Sequence, residues 1–451
     1  MPGRISGKRS VRRKPTGVGI VRRLDILLLG LNYAPERTGI APYTTGMARA
    51  WADAGHRVHV VTGYPHYPQW RVQPGFRGAR LEERDGDIRI TRVRHPVPNR
   101  PTGWGRIGME AAFAAASLAV RTRRPDVVVA VSPALLTVAA ALWRRRWGSV
   151  PLGVVVQDLY GDVVAETGVL GGRGGRSVAR VERSLLSRAD GIVAVHDMFR
   201  GGLARAGVPD GAVTVIGNWT HTTSATGDPA ALRHRLGWPV DRTIALHAGN
   251  MGAKQGLENV VAAARLAEQR ELPVRFVLLG DGNQRPRLAE LGADCTSLEF
   301  LDPLPDGEFE TALAAADVLV LNERETVTQM CVPSKLTSYF AAGRPVVAAT
   351  SATSPAGREM GAAAAGIVVE PGRPELLLEA AVALGMGDGA HLGQRGREYA
   401  AAHYSAEASR AAYLAWVTAL AEGRRSSGGA EALEVPRQRR RFLARRRRTV
   451  A

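Results

Sequence analysis

Two lysines stand where glycines and helix starts would let an anion approach the backbone. The first, Lys254, lies in Gly249-Asn250-Met251-Gly252-Ala253-Lys254-Gln255-Gly256, between an apolar strand expected at Thr243–Ala248 and a helix expected at Leu257–Gln269. The second, Lys335, follows Pro333-Ser334 at the start of a helix expected near Lys335–Ala342. Between them, an expected strand Arg275–Leu279 runs into Gly280-Asp281-Gly282-Asn283. A lysine supplies a positive point charge, and helix starts leave N–H groups without intrahelical acceptors. Small residues let such amides close on a ligand, so the combination suits a diphosphate. Each element alone reads more simply as a loop with a surface lysine. Three in one stretch, all at strand ends or helix starts, favour the anion.

The first half carries weaker signals. A turn at Asn32–Ile40, with Gly39, falls between a strand Asp25–Leu29 and a helix over Tyr43–Ala54 that Gly55 stops. It lacks the GxGxxG spacing, and no GxxxxGK[ST] occurs, so a dehydrogenase or an ATPase is unsupported. Tyr64, His66, Tyr67 and Trp70 cluster with Pro65 and Pro68 after a strand at Val58–Thr62. They suit a loop that stacks on a sugar or holds an acceptor, and equally a proline-stiffened loop packed on its own domain. His196-Asp197 follows a strand at Gly191–Val195 and reads first as a structural histidine.

The elements that must position these residues form a repeating pattern. Apolar, β-branched runs at Ile88–Val93, Val127–Val131 and Gly153–Val156 continue the first half, and Val318–Leu321 and Pro345–Ala349 continue the second. Strands alternating with helices predict parallel βαβ units, an α/β fold of two doubly wound domains with a ligand cleft at the strand carboxyl ends. Thr220–Pro229, rich in Thr, Ser and Gly, reads as the linker. The expected division is a basic tail over 1–23, a first domain over 24–222 and a second over 223–400. A final helix over 401–422, part of a helical stretch at Gly396–Glu422, precedes an Arg-rich tail at 423–451.

Charge sorts the function classes. The 451 residues carry a net charge of +18, with 45% hydrophobic and 23% charged residues. Residues 1–23 hold eight basic residues and no acid, and residues 424–451 hold a net eight more, so the tails account for sixteen of the eighteen. A nucleic-acid-binding fold would place that charge on its folded surface. Gly/Ser/Arg-rich ends of this kind instead suit an anionic membrane surface, or serve only to solubilise. The longest uncharged run, Val127–Trp143, is interrupted by Ser132-Pro133 and reads as a strand followed by a helix rather than a membrane span. No apolar stretch before Leu24 reads as a secretory signal. Cys295 and Cys331 are the only cysteines, too few for a disulfide framework and without zinc spacing.

Longer segments carry a resemblance. LNYAPERTGIAPYT at 31–44, GYPHYPQWRV at 63–72, VVQDLYGD at 155–162, GNMGAKQGLENV at 249–260 and PSKLTSYFAAGRPVV at 333–347 resemble family 4 glycosyltransferases, within them the colanic acid biosynthesis enzymes of WcaI type. The resemblance covers about residues 24–400. It implies a GT-B fold of two Rossmann-like domains, retention at the anomeric carbon, no cofactor, no essential metal and a nucleotide-sugar donor held mainly by the second domain. It further implies a lipid-linked glycan acceptor in exopolysaccharide synthesis, and a cytoplasmic enzyme peripheral on the inner membrane face. Lys254 and Lys335 would neutralise the donor phosphates with Asn250 and Ser334 assisting, and Gly39, Gly280 and Gly282 would keep backbone near the nucleotide. Asp158 and Gln157 would face the reacting sugar, with Asp158, Lys254 and Lys335 as the catalytic set. Two departures stand out: Val155 occupies a position where relatives often carry histidine, and Met330 and Ser338 replace the family's Glu-x7-Glu pair. Glu323 and Glu325 are the nearest acidic residues in sequence. The other readings are a GT-B nucleotide-sugar epimerase, which would want acidic pairs across the cleft, and a polyanion-binding protein acting through its tails.

Overall fold

The computed structural model describes residues 22–37, 39–98, 103–145, 150–159, 171–220, 227–305, 307–325, 334–387 and 389–423. Most of both tails, the central part of the linker and Met330 lie outside the described residues.

Two sheets carry the chain. The first takes the order β3-β4-β2-β1-β5-β6-β7-β8, with β1 Asp25–Leu29, β2 Arg57–Gly63, β3 Arg80–Asp85, β4 Ile88–Val93, β5 Val127–Ser132, β6 Leu152–Val156, β7 Gly191–Ala194 and β8 Val213–Val215. Every pairing is parallel except β3 with β4, an antiparallel hairpin at the edge. The second takes the order β11-β10-β9-β12-β13-β14, with β9 Thr243–Ala248, β10 Val274–Leu279, β11 Leu298–Leu301, β12 Val318–Asn322, β13 Val346–Ala349 and β14 Gly366–Val369. All its pairings are parallel.

The central strands β1, β5, β6, β9 and β12 are buried along almost their whole length and mainly apolar, because helices cover both faces of each sheet. In both sheets the strand order reverses beside the first strand laid down, β1 or β9. The loops leaving those strands diverge there and open a crevice.

The strands expected from sequence are present with ends shifted by at most one residue. Strands β3, β8, β11 and β14 lie outside that reading: β8 is only Val-Thr-Val, β11 carries Glu299, and β14, Gly-Ile-Val-Val, is a short apolar run at the sheet edge. β3, Arg-Leu-Glu-Glu-Arg-Asp, is an edge strand whose exposed face is charged. The last helical stretch is two helices, Ala390–His403 and Ala406–Ala421. Ser405 breaks it, taking an extended conformation and accepting a hydrogen bond from Ala408 N to cap the second helix.

That second helix packs on the first sheet. Trp51 donates its indole N–H to the Tyr413 carbonyl at 3.2 Å. Trp416 lies so close over β6 that a Cβ on Gly153 would sit 2.4 Å from its ring. No described helix is long and apolar enough to cross a membrane. Because Trp416 is 5% exposed and seated on glycine backbone, Trp416→Ala is expected to cost about 3–5 kcal/mol. Gly153→Ala would destabilise by overpacking, on the order of 1–3 kcal/mol. Denaturant melts of the two variants check both.

Candidate active site

The site is assembled by backbone before any side chain acts. After β9 the chain passes through Gly249 at φ 119°, and after β10 through Gly280 at φ 132° and Gly282 at φ 157°. A Cβ on Gly280 would sit 2.2 Å from the Gly249 carbonyl oxygen, and one on Gly282 2.5 Å from that of Met251. Only glycine fits. The two loops are then tied by Gly249 N–H to Leu279 O at 2.8 Å, Met251 N–H to Asp281 O at 2.9 Å and Gln284 N–H to Met251 O at 3.0 Å.

Lys254 lies in the short 3-10 turn Ala253–Gln255, which Gln255 closes by accepting from Gly252 N–H at 3.0 Å. Its carbonyl accepts from Arg324 N–H at 3.0 Å. Asn322, at the end of β12, donates to the carbonyls of Gln255 and Gly256 at 2.7 and 3.0 Å. The backbone beneath the ammonium group is therefore fixed from the neighbouring strand. Lys335, in the first turn of helix Ser334–Ala342, reaches the Asn250 carbonyl at 3.4 Å, and its Cε lies 3.3 Å from where a Cβ on Gly249 would stand. Lys254 thus stands on the loop that follows β9, and Lys335 reaches the same loop from its helix. The Ser334 side chain lies outside the described residues. Beneath them, His247 is fully buried, its Nδ1 beside the Val320 carbonyl at 3.1 Å. Burial, then the field of Lys335, holds its pKa down at about 3, so the imidazole is neutral.

Opposite stands Asp158, just beyond β6. Its Oδ2 lies 3.8 Å from Lys254 Nζ, with the carboxylate side chain 17% exposed and the lysine 38%. Burial pushes its pKa up to about 7; Lys254 and then Arg106 pull against that shift without overcoming it. Gln157 accepts from Asn218 Nδ2 at 3.0 Å. Val155 is 1% exposed within the apolar core of β6, so its side chain does not reach the crevice.

The aromatic cluster divides. Tyr64 is 1% exposed and donates its hydroxyl to the Arg77 carbonyl at 2.8 Å. His66 is also 1% exposed, its Nδ1 2.9 Å from the Tyr64 carbonyl, and burial lowers its pKa. These two are packed into the first domain. Tyr67 and Trp70 are half-buried, and the Tyr67 ring lies 3.0 Å from where a Cβ on Gly39 (φ 68°) would stand. Gly39 therefore permits the Asn32–Ile40 turn to approach the aromatic loop closely. Glu36 joins the same two segments, accepting from the N–H groups of His66 and Tyr67 at 2.7 and 2.8 Å and from Asn32 Nδ2 at 2.8 Å.

Two arrangements escaped the sequence reading. His196 Nδ1 accepts from Met198 N–H at 3.1 Å, leaving Nε2 to donate to Glu359 at 3.2 Å across to the second domain. Glu359 also accepts from Tyr399 and Tyr404 hydroxyls at 2.8 and 2.7 Å, and its pKa is lowered by these bonds despite burial. Glu323 stands at the end of β12 in the field of both lysines. Contacts of the first kind join residues far apart in sequence, and no local spacing signals them.

The buried charge on Asp158 has a measurable consequence. A carboxyl with a folded pKa near 7 against 3.8 in the unfolded chain binds protons more tightly when folded. It costs stability as pH rises from about 4 to 7 and favours folding most when protonated. Asp158→Asn, which mimics the neutral form, is expected to melt above the parent at pH 8 and level with it at pH 4. Equal melting temperatures at both values would show that the carboxylate is not destabilised by burial.

Comparison with known proteins identifies the family and the fold. A family model described as a glycosyl transferase 4-like domain matches residues 38–219, and one described as glycosyl transferases group 1 matches 242–385. The putative colanic acid biosynthesis glycosyl transferase WcaI of Escherichia coli K12 is 30% identical over 336 residues, 71% of this chain and 82% of that protein. The probable glycosyltransferase WbjE of Pseudomonas aeruginosa is 29% identical over 241 residues, 51% of this chain and 59% of its own. In fold, the chain is similar to sucrose-phosphate synthase of Thermosynechococcus elongatus, with TM-score 0.68 and 18% identity over 88% of this chain and 99% of that one. It is also similar to Anabaena HepE in complex with UDP-glucose, with TM-score 0.61 and 14% identity over 87% and 99%. Two parallel-sheet domains of this kind are the GT-B architecture, and the chain belongs to the family 4-like glycosyltransferases, in the branch of WcaI type.

Proposed function

We propose that this enzyme takes a sugar from a nucleoside-diphosphate donor held by the second domain and transfers it to a lipid-linked glycan acceptor during exopolysaccharide synthesis. Transfer retains the anomeric configuration. The observation that carries the reading is two lysines at one glycine-shaped loop, Lys254 standing on it and Lys335 reaching its Asn250 carbonyl at 3.4 Å. The colanic acid relative supports the glycan class, and the UDP-glucose in HepE supports the donor class.

As the bond from the anomeric carbon to the diphosphate breaks, negative charge grows on the leaving oxygen. Two ammonium groups fixed beforehand on braced backbone stabilise that charge without reorganising, the role a divalent metal would otherwise fill. Asn250 and Ser334 assist at the phosphates, and Gly39, Gly280 and Gly282 let backbone approach the nucleotide. A new bond forms from the acceptor hydroxyl to the same carbon, and the hydroxyl proton must leave. Asp158 is suited to take it, because a base with a pKa near 7 is matched to neutral pH. Its partner Lys254 is claimed by phosphate once the donor binds, which removes the charge that lowers the Asp158 pKa. Gln157, Tyr67 and Trp70 form the acceptor side, with His66 packed edge-on against Trp70 and Tyr64 buried at the base of the same loop.

Lys254→Ala and Lys335→Ala are each expected to lower kcat/KM for the donor at least tenfold, about 1.4 kcal/mol of transition-state stabilisation. Full turnover in both variants would remove the phosphate assignment. The Arg-rich tails are proposed to hold the enzyme on the inner face of the membrane. Binding to vesicles containing anionic lipid should fall steeply between low salt and physiological ionic strength, where screening acts beyond about 8 Å. Binding that ignores salt would point to apolar insertion instead.

A further inference from the structure

The two lysines have an acidic neighbour that the phosphate assignment does not use. Glu323 follows β12, between the loop after β9 that carries Lys254 and the end of β13, and its own N–H donates to Ala349 O at 3.0 Å. Thr350 donates its hydroxyl to Glu323 Oε2 at 2.6 Å. Thr350 Oγ1 lies 2.9 Å from Ser354 Oγ, and Ser354 accepts from Gly357 N–H at 3.0 Å. With the Thr350 proton committed to the carboxylate, Ser354 is the donor to Thr350. The chain of donors therefore runs one way, from the N-terminus of helix Pro355–Ala363 to Glu323. Thr350 and Ser354 are each 1% exposed, so this relay is built and shielded, and it pins one carboxylate oxygen. No hydrogen bond from the described residues reaches the other oxygen.

A carboxylate in the field of two phosphate-binding lysines repels phosphate. What it accepts is a hydroxyl, and a nucleoside-diphosphate sugar has hydroxyl-bearing groups on both sides of its phosphates, the transferred sugar and the ribose. We propose that Glu323 is a donor-binding residue whose second carboxylate oxygen accepts a hydroxyl of the group adjoining the diphosphate. The assignment rests on the diphosphate reading of Lys254 and Lys335. It gives a carboxylate function at the crevice of a chain whose Met330 and Ser338 have none.

The sign of the effect separates this role from simple charge balance. If Glu323 only offset the lysines, removing its charge would tighten binding of any diphosphate. If it holds a hydroxyl, removal weakens binding of ligands that carry that hydroxyl and does not weaken binding of pyrophosphate. The test is calorimetric titration of the full chain and of Glu323→Ala and Glu323→Gln with inorganic pyrophosphate, UDP, GDP, UDP-glucose and GDP-mannose. For whichever nucleotide the parent binds, a tenfold or greater loss in Glu323→Ala with unweakened pyrophosphate binding is expected, and a smaller loss in Glu323→Gln, which keeps an acceptor. A loss already present with the nucleoside diphosphate assigns the hydroxyl to ribose, and one that appears only with the sugar nucleotide assigns it to the sugar. Unchanged or tighter nucleotide binding overturns the proposal, as does an equal loss with pyrophosphate, which would mean the loop has collapsed. A parent that binds pyrophosphate but none of the four nucleotides sinks the donor-site reading, and the role of Glu323 with it.

Discussion

The backbone contact between Gly249 and Gly280 constrains everything at the crevice. With 2.2 Å from a would-be Cβ to a carbonyl oxygen, the two loops meet as bare main chain. Their hydrogen bonds carry the β9–β10 pairing past the end of the sheet. That contact fixes where the Asn250 carbonyl stands, and Lys335 leans on that carbonyl at 3.4 Å. Arg324 and Asn322 hold the other side of the same loop under Lys254. The ammonium groups therefore owe their positions to main-chain geometry, and long flexible side chains need only their last bonds ordered. Catalytic electrostatics works best when the charges are set in place before the reaction begins.

Placing charge in a crevice has an energetic cost that surface pairs avoid. Arg265 with Asp294 is an exposed pair of the kind that contributes little. Glu36, Asp158 and Glu323 differ, because burial raises the pKa of each. Each is kept in place by donors. Glu36 has two backbone amides and Asn32, Glu323 has Thr350, and Asp158 has Leu159 N–H at 3.1 Å and the lysine opposite. Removing one partner of such a group leaves a buried charge uncompensated, which costs far more than an exposed pair contributes. The cluster is thus an expense in stability, concentrated where two strand-end surfaces face each other.

The fold was legible where burial is two-sided. β1, β5, β6, β9 and β12 are built mainly of Val, Leu, Ile and Ala, with His247 and Asn322 among the few polar exceptions, and such runs name themselves. The edge strands did not, because Arg80–Asp85 alternates with charge and Leu298–Leu301 is only half-buried. At the site, lysines beside glycines could be read from spacing, since φ-positive turns and helix starts are local. Tyr64 and His66 look from sequence like cleft residues and are instead buried in the first domain, Tyr64 against Phe76 and His66 against Trp70 and His95, a distinction set by which way a proline-rich loop folds back. Glu323 drew notice only for its distance from Met330 and Ser338. Its relay through Thr350 and Ser354 spans more than thirty residues and has no local period to reveal it. The interdomain bond from His196 to Glu359, 163 residues apart, belongs to the same class.

The chain's return brings the two domains together a second time, beside the His196–Glu359 bond. Helix Ala406–Ala421 leaves the second domain and seats Trp416 against Gly153 and Gly191 of the first sheet. At the crossing, Thr220 N–H donates to the Tyr404 carbonyl at 3.1 Å and the Thr220 hydroxyl to the Thr337 carbonyl at 3.0 Å. Both passes between the domains thus meet at one joint, and Thr337 lies two residues beyond Lys335. The His196–Glu359–Tyr404 group ties into that joint through Tyr404 itself. Lys335 therefore stands beside that joint, whereas Lys254 faces Asp158 from the opposing domain, Nζ 3.8 Å from Oδ2. A change in the angle between the domains moves the Lys254–Asp158 separation more than it moves Lys335 relative to its own loop. Burial sets the larger part of the Asp158 pKa and Lys254 the smaller, so only that smaller part depends on how closely the two domains approach.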